Sequence, residues 1–523
     1  MKLSANPSLG RDLREERAGS SSELREKVQD SLLLALLVVL SLILYVQQLG
    51  FYMDDCGFIR LLAASEDGSL LGLTRSLYLQ DHLVRERPSQ ALLLAGLYWL
   101  FGLHPFGYHL SNAFFLCLIA ILFYWVLREF ELPRLPALAI PAVYILLPHY
   151  STDRFWVAAF QATLSIVLYL LSLYSDLHAL MSRPSGFWAW KLLGVFCLLG
   201  SALAYEVTVP LFLLSLFMIA VRARQLTGTS QADPQVRRNL APAVGINLLA
   251  LALVVGYKAF TTTRLNVQTG LINHAASLFA GAFKVNFGTY GLGLPYVIGW
   301  IIRNRLDWIL FGLGSVLALG IYAYLSYAAR KSPDSLPPGS FWLQIIGVGL
   351  AAFVLGYAIF LVNEDVWFTS ASIGNRLAIA AALGVALSFV GGIGWLTARF
   401  SPAAARRNLF CASVSLLCLA GFLINNTLAQ FWASAYRQQQ AVLADIQAHN
   451  PALPSGSTLI LDGFCIQQGG AYILNGRRDL AGIFSIAYQD QSLKAAASER
   501  SPEIGEDGLT LLVDPLDETE ERQ

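Results

Sequence analysis

Charge is scarce in this 523-residue chain: Lys, Arg, Asp and Glu together make up 14%, against about 25% in a soluble globular protein. The few charges nearly cancel, to a formal +1, so the basic excess that draws a nucleic-acid partner is missing. Cysteine and methionine number only six and four, and neither a CxxC pair nor an HExxH sequence occurs. No strong metal-binding spacing is therefore present. Cys117, Cys197, Cys411 and Cys418 sit inside apolar runs, where a thiol behaves as a small hydrophobe. Cys56 and Cys465 fall outside the runs; a bridge between them is open, although one loose pair is not a disulfide framework.

Apolar residues, by contrast, make up 55% of the chain, and the mean hydropathy is +0.54. They fall in blocks of spanning length, which predicts an all-α polytopic membrane protein. Candidate spans lie near 31–49, 109–127, 136–149, 158–175, 188–204, 207–221, 241–258, 309–328, 341–361, 377–398 and 409–430, about eleven helices. The first follows some thirty polar residues and reads as an uncleaved signal anchor. The stretch 89–102 is too short to span comfortably, carries Tyr98 and Trp99, and reads as a helix lying in the interface.

With 89–102 not spanning, Arg128, Arg134, Arg183, Lys191, Arg222, Arg224, Arg237, Arg238, Arg330, Lys331, Arg399, Arg406 and Arg407 share the cytoplasmic side with residues 1–30. This is the distribution that the positive-inside rule expects. The opposite face then holds a first loop at 50–108, a large loop at 259–308 and the tail from 431. Long loops gathered on one face place the chemistry there. Residues 31–430 form the expected transmembrane catalytic domain. Residues 431–523 read as a small extramembrane α/β domain, with STLILDG (457–463) and GLTLLVD (508–514) as strands and a disordered acidic end.

Ionisable residues at a membrane edge are costly and concentrate where they are used. The outer face gathers Asp54, Asp55, Arg60, Asp81, His82, Arg85, Glu86, Arg87, Asp153, Arg154, Glu206, Arg264 and Arg376. Guanidinium groups bind phosphate oxygens as forks, and a carboxylate of suitable pKa takes a proton from an attacking hydroxyl. Each group also has a plainer reading. Asp54 and Asp55 suit a helix N-cap, the stretch from Asp81 to Pro88 suits a salt-bridged turn, and Glu206 suits a hairpin tip. Asp153 with Arg154 suits a surface ion pair worth under about 1 kcal/mol. His149 and His274 suit interface positions, and Trp156, Trp300, Trp308 and Trp367 suit an aromatic belt.

Several segments carry a resemblance: the Asp54–Asp55 pair after the first run, Arg87–Pro88, FGLHPFGYHLSN (101–112), LLPHYSTDRFW (146–156) and YEVTVPLFLL (205–214). Over residues 31–225 the chain resembles the GT-C membrane glycosyltransferases, in particular the branch related to dolichyl-phosphate-mannose–protein mannosyltransferases. Beyond that stretch the likeness is one of architecture. The chain departs from the pattern at Tyr150 and Thr152, where the family has His and Glu, and at Tyr205, where it has Lys.

The resemblance implies transfer of a sugar from a polyprenyl-phosphate monosaccharide on the non-cytoplasmic face. Asp54 is the preferred base and Asp55 its neighbour in the catalytic pair. Arg87 and Arg376 are expected to hold the donor phosphate, with His82, Asp153, Glu206 and Arg60 completing the substrate site. Displacement in one step inverts the anomeric centre, and arginines suffice for a phosphate leaving group, so no cofactor is required. The paired aspartates leave a divalent metal open. Partners are the lipid-linked donor, the bilayer and an acceptor that is protein, lipid or polysaccharide. The expected location is a bacterial inner membrane with a periplasmic active face. A polymerase or ligase using pyrophosphate-linked oligosaccharide and a lipid-linked sugar transporter are the competing readings; no halved internal repeat supports the transporter.

Overall fold

A computed structural model describes residues 7–227, 234–261, 270–331, 336–364, 366–461, 467–474 and 476–497, with side chains from residue 23 onward, and the backbone of 504–505 and 508–509. The helices in chain order are α1 (Pro7–Leu42), α2 (Asp54–Ala63), α3 (Leu70–Gln80), α4 (His82–Arg85), α5 (Pro88–Phe101), α6 (Pro105–Glu129) and α7 (Arg134–Leu146). Next come α8 (Thr152–Phe155), α9 (Phe160–Met181), α10 (Pro184–Ala204), α11 (Val209–Thr227), α12 (Pro234–Thr261), α13 (Leu271–Phe283) and α14 (Leu294–Asn304). The series ends with α15 (Trp308–Lys331), α16 (Gly339–Ala358), α17 (Ile379–Phe400), α18 (Ala403–His449) and α19 (Arg477–Tyr488).

Among the described residues, nine helices are long and apolar enough to cross a bilayer: α6, α9, α10, α11, α12, α15, α16, α17 and α18, some lengthened by flanking turns. The expected count of about eleven included two further runs. The first, 31–49, is the apolar end of α1 and stops as α-helix at Leu42. The second is α7, thirteen residues long with Pro141 inside it, every residue buried. A helix walled in by protein need not match the thickness of the lipid. As expected, 89–102 is a short helix, α5.

Burial sorts the bundle. In α9 and α17, 78% and 83% of the apolar window is covered by protein, against 28% in α12 and 22% in α15. The first two form the core, and the others present leucines to lipid. The α16–α17 contact is made by small residues: a Cβ at Gly356 would lie 2.5 Å from the backbone N of Ala381. Close backbone approach of this kind replaces the hydrophobic drive that is absent between helices in lipid.

Polar ties fix the helix order. At one end of the bundle Arg134 forks onto Asp30 (2.9 and 2.7 Å), which also accepts from Tyr124 and Tyr324 (2.6 and 2.7 Å). Arg128 and Arg222 lie at this end too, beside Glu23 and Glu131. Lys191, near the start of the expected span 188–204, is buried inside the bundle, 2.5 Å from both Asp176 and Asn247.

The expected boundary at 431 is not a break. α18 runs through it to His449, about 70 Å at 1.5 Å per residue, so its last turns stand clear of the bundle. Beyond it, β1 (Thr458–Leu461) pairs in parallel with β4 (Lys494–Ala497), and α19 lies in the crossover between them. β2 (Gln467–Gln468) and β3 (Ala471–Tyr472) form a hairpin, as do β5 (Ile504–Gly505) and β6 (Gly508–Leu509). The expected strand at 457–463 is therefore present as β1. Residues 510–514 of the second expected strand lie outside the described residues, as do the acidic end, Arg264 and Cys465.

Candidate active site

The end of the bundle opposite Asp30 holds most of the candidate residues. Helix α2 starts at Asp54 through Met53, whose φ of 49° lies in the region that L side chains seldom adopt. Such conformations cost about 1–3 kcal/mol and persist where the surroundings impose them. Tyr52 supplies that imposition: its hydroxyl donates to the carbonyl of Trp432 (2.9 Å), and its carbonyl accepts from the Trp156 indole (3.0 Å).

The two aspartates differ. Asp55 is buried; its Oδ2 accepts from the Tyr52 N–H (2.9 Å) and its Oδ1 from the Ala158 N–H (2.6 Å). Burial pushes its carboxyl well above the usual range, against the pull of those N–H groups. Asp54 is half-buried and makes no hydrogen bond among the described residues. The plain capping reading thus holds in part for Asp55, which serves backbone donors of two loops, and not for Asp54. Both Asp55 oxygens accept N–H donors, and among the described residues no group of three His, Cys, Asp or Glu side chains is placed to hold an ion.

The 101–112 stretch acts as a brace. His109 Nε2 bonds to the Gly50 carbonyl (3.0 Å), the Tyr108 hydroxyl donates to Gly102 O (2.8 Å), and Asn112 Nδ2 donates to the Asp153 carbonyl (2.8 Å). It thereby ties the loop before Asp54 to the loop of α8.

Arg87 forks onto Glu206 at 3.0 and 2.5 Å, and its guanidinium lies 4.7 Å from the Tyr205 ring centroid. Lys258 Nζ reaches the same carboxylate at 3.2 Å and the Glu86 carbonyl at 2.8 Å. Both cations face the Glu206 carboxylate, and the charge of buried Glu86 acts on both as well. Lys258 was not among the sequence candidates. Its signal was a lone ammonium at the outer end of an apolar span.

Arg376 is half-buried, stacks 4.7 Å from the Trp156 ring centroid, and makes no ion pair or hydrogen bond among the described residues. Its platform is rigid. Asn375 Oδ1 accepts from the Thr152 N–H (3.1 Å) and the Ser151 hydroxyl (3.2 Å), and its Nδ2 donates to Pro148 O (3.1 Å) and Ser370 O (2.9 Å). Asp153 is fully buried, and apart from its own N–H its carboxyl meets no partner among the described residues. Burial raises its pKa well above the ordinary value, while Arg376 and then Arg154 pull it down. Asp153 and Arg154 are thus no surface pair: both are buried, and Arg154 donates to the Tyr150 hydroxyl at 3.3 Å.

Other expectations change. Arg60 bonds to Gln491 (3.0 and 2.5 Å), so it fastens the tail instead of facing a substrate. His82 is exposed and its imidazole makes no hydrogen bond among the described residues, whereas Asp81 beside it turns inward and caps α4 with its side chain. Asp81 pairs with Arg478. Trp156 is buried and structural, whereas Trp300, Trp308 and Trp367 are exposed as a belt requires. His149 and His274 bond to the carbonyls of Asn286 (3.0 Å) and Phe360 (2.8 Å). Cys56 is a buried free thiol.

The tail brings one carboxylate that the sequence did not suggest. α19 lies directly on α2: a Cβ at Gly482 would be 2.6 Å from the carbonyl carbon of Cys56. Arg478 covers Phe58, its guanidinium 4.9 Å from the ring centroid. This seats Asp479, almost fully buried, within electrostatic reach of Asp54. Burial first, then Asp54, push its pKa up to about 8, against Arg478.

No family model matches the sequence, and no curated protein does. Among solved structures, the chain is similar to ArnT from Cupriavidus metallidurans in the apo state, at 13% identity over 92% of this chain and 87% of that one, with a TM-score of 0.37. It is likewise similar to the same protein bound to undecaprenyl phosphate, at 13% identity over 89% of each chain and a TM-score of 0.39. Likenesses this distant decide nothing about the activity of this chain, which has to be argued from its side chains.

Proposed function

We propose that this chain is a membrane glycosyltransferase of the GT-C kind, moving a monosaccharide from a polyprenyl-phosphate donor to an acceptor hydroxyl on the non-cytoplasmic face. One juxtaposition carries the reading. Asp54, a carboxylate with no hydrogen bond, and Arg376, a guanidinium with no ion pair, are linked through Trp156. The Trp156 indole supports Arg376 on its face and bonds to Tyr52, two residues before Asp54. A proton acceptor and an anion-binding group are thus joined through Trp156 at the end of an apolar bundle.

In this reading the acceptor oxygen attacks the anomeric carbon and the bond from that carbon to the phosphate oxygen breaks. Asp54 takes the hydroxyl proton. Arg376, with Arg87 and Lys258 as further N–H donors, stabilises the departing lipid phosphate. A single displacement inverts the anomeric configuration. Asp55 and Asn375 hold the two reacting loops, and Asp153 lies beside Arg376. The mannosyltransferase branch, the bacterial inner membrane and the periplasmic side belong to the same proposal, carried by the sequence resemblance and the basic residues at the Asp30 end.

The test is transfer of labelled sugar from a panel of polyprenyl-phosphate monosaccharides, with purified protein in liposomes and cell-envelope extract as acceptor. Transfer from at least one donor, with a KM raised at least tenfold in Arg376→Gln, supports the reading. Transfer only from pyrophosphate-linked oligosaccharide, or movement of intact lipid-linked sugar between leaflets, would replace it.

A further inference from the structure

A second concave site lies away from the carboxylate and arginine groups described above. Arg305 after α14, residues Gln430, Phe431, Ser434 and Arg437 of α18, and Gln468 of β2 enclose a volume of about 330 Å³. Pockets for small ligands begin at about this size. The polar lining consists of two guanidiniums, two carboxamides and a hydroxyl, with no carboxylate. Phe431 forms an apolar wall, and the Arg305 guanidinium lies 5.2 Å from its ring centroid. Arg437 gives one N–H to Gln48 (3.0 Å). Among the described residues neither arginine meets a carboxylate.

Two guanidiniums facing one concavity with no carboxylate in its lining can be bridged by a single anion through forked N–H donors. Position narrows the anion's source. α14 turns Tyr296, Trp300 and Ile302 outward, 79%, 43% and 47% exposed, as a helix lying in the interface does. Arg305 closes that helix and so stands at headgroup depth.

We infer that this pocket binds the phosphate group of a lipid in the same leaflet. Arg305 and Arg437 supply forked N–H donors, while Gln430, Gln468 and Ser434 complete the donor set. The inference does not rest on the transfer reaction, since none of these residues belongs to the Asp54 and Arg376 site.

The experiment titrates the full chain in dodecyl maltoside micelles with phosphatidylglycerol, with diacylglycerol as the phosphate-free comparator, and reads retained lipid by native mass spectrometry. Wild type should retain phosphatidylglycerol selectively. Arg305→Gln/Arg437→Gln should bind it at least tenfold more weakly, and Arg237→Gln/Arg238→Gln, in the first turns of α12 and outside the pocket, should match wild type. Single Arg305→Gln, at an exposed position, reports the same loss in part should the double variant fail to fold. Equal retention in wild type and Arg305→Gln, or equal retention of the two lipids, overturns the inference. Inorganic phosphate binding that needs both arginines, with no lipid retained, overturns the lipid source in favour of a soluble phosphoryl group.

Discussion

Asp55 and Ala158 stand 103 residues apart in the chain, and the carboxylate of the first accepts the backbone N–H of the second at 2.6 Å. With its other oxygen on Tyr52, Asp55 fastens the entry of α2 to the turn before α9, and Asp54 is left without a bond. Two adjacent carboxylates thereby divide into a latch and a group left unbonded. Asp55→Asn turns one acceptor into a donor facing an N–H. It should lower stability by about 2 kcal/mol, the worth of a hydrogen bond to a charged group. Asp54→Asn should leave the thermal midpoint within error of wild type. Midpoints read by intrinsic fluorescence check this, and equal shifts in the two variants would contradict it.

Arg87, Glu206 and Lys258 form one network in which the carboxylate is shared. Removing Glu206 takes from Arg87 and Lys258 the carboxylate that both contact, leaving Glu86 as the nearby negative charge, while removing Arg87 leaves Lys258 still paired with Glu206. Glu206→Gln is therefore expected to destabilise the protein more than Arg87→Gln, by about 1 kcal/mol. Arg87→Gln is expected to raise the KM for donor more than Glu206→Gln does. Denaturant midpoints and donor titrations on the same preparations read both orders.

Asp479 makes stability depend on pH. Its carboxyl titrates near 8 when folded, against 3.8 when free. Between those values the folded chain holds a proton that the unfolded chain has lost, so rising pH favours unfolding across that window. Asp479→Asn has no such proton. Its thermal midpoint should gain on wild type as pH rises from about 4 to 8 and run parallel above that. A constant difference over the whole range would refute the assignment.

The contact of α19 with α2 leaves no room at Gly482, where a Cβ would sit 2.6 Å from the Cys56 carbonyl carbon and 3.0 Å from the Gly57 nitrogen. Gly482→Val should lift the tail from α2 at a cost of about 1–3 kcal/mol. It should also speed protease cleavage between α18 and α19. Unchanged cleavage would mean that the tail does not depend on this face.

Apolar runs made the bundle legible, because nine of the expected spans are long enough to declare themselves by hydropathy alone. α7 and the end of α1 stand outside that nine: α7 is a short helix walled in by protein, and α1 ends as α-helix at Leu42 with Leu32, Leu36 and Val39 exposed. The end of α18 was missed for the opposite reason: after residue 430 hydropathy falls, but Ala, Gln and Leu keep the helix going. Sidedness drew Asp54, Arg87, Asp153, Glu206 and Arg376 into one expected site. It could not separate Asp54 from Asp55, which depends on where the Ala158 N–H lies. Arg60 and His82 share the same loop region, yet one is taken by Gln491 and the other faces out. Asp479 and Arg478 were invisible, for their partners Asp54 and Asp81 are some four hundred residues away, as the 397-residue separation of Arg478 from Asp81 shows.

The central claim is that Asp54 receives the acceptor proton. Single-turnover transfer from the accepted polyprenyl-phosphate sugar, in liposomes carrying wild type, Asp54→Asn or Asp54→Glu, measures it directly. The account predicts a fall of at least a hundredfold in the rate for Asp54→Asn, partial recovery in Asp54→Glu, and donor binding unchanged in both. An Asp54→Asn rate within a few-fold of wild type would contradict it and remove Asp54 from the chemistry.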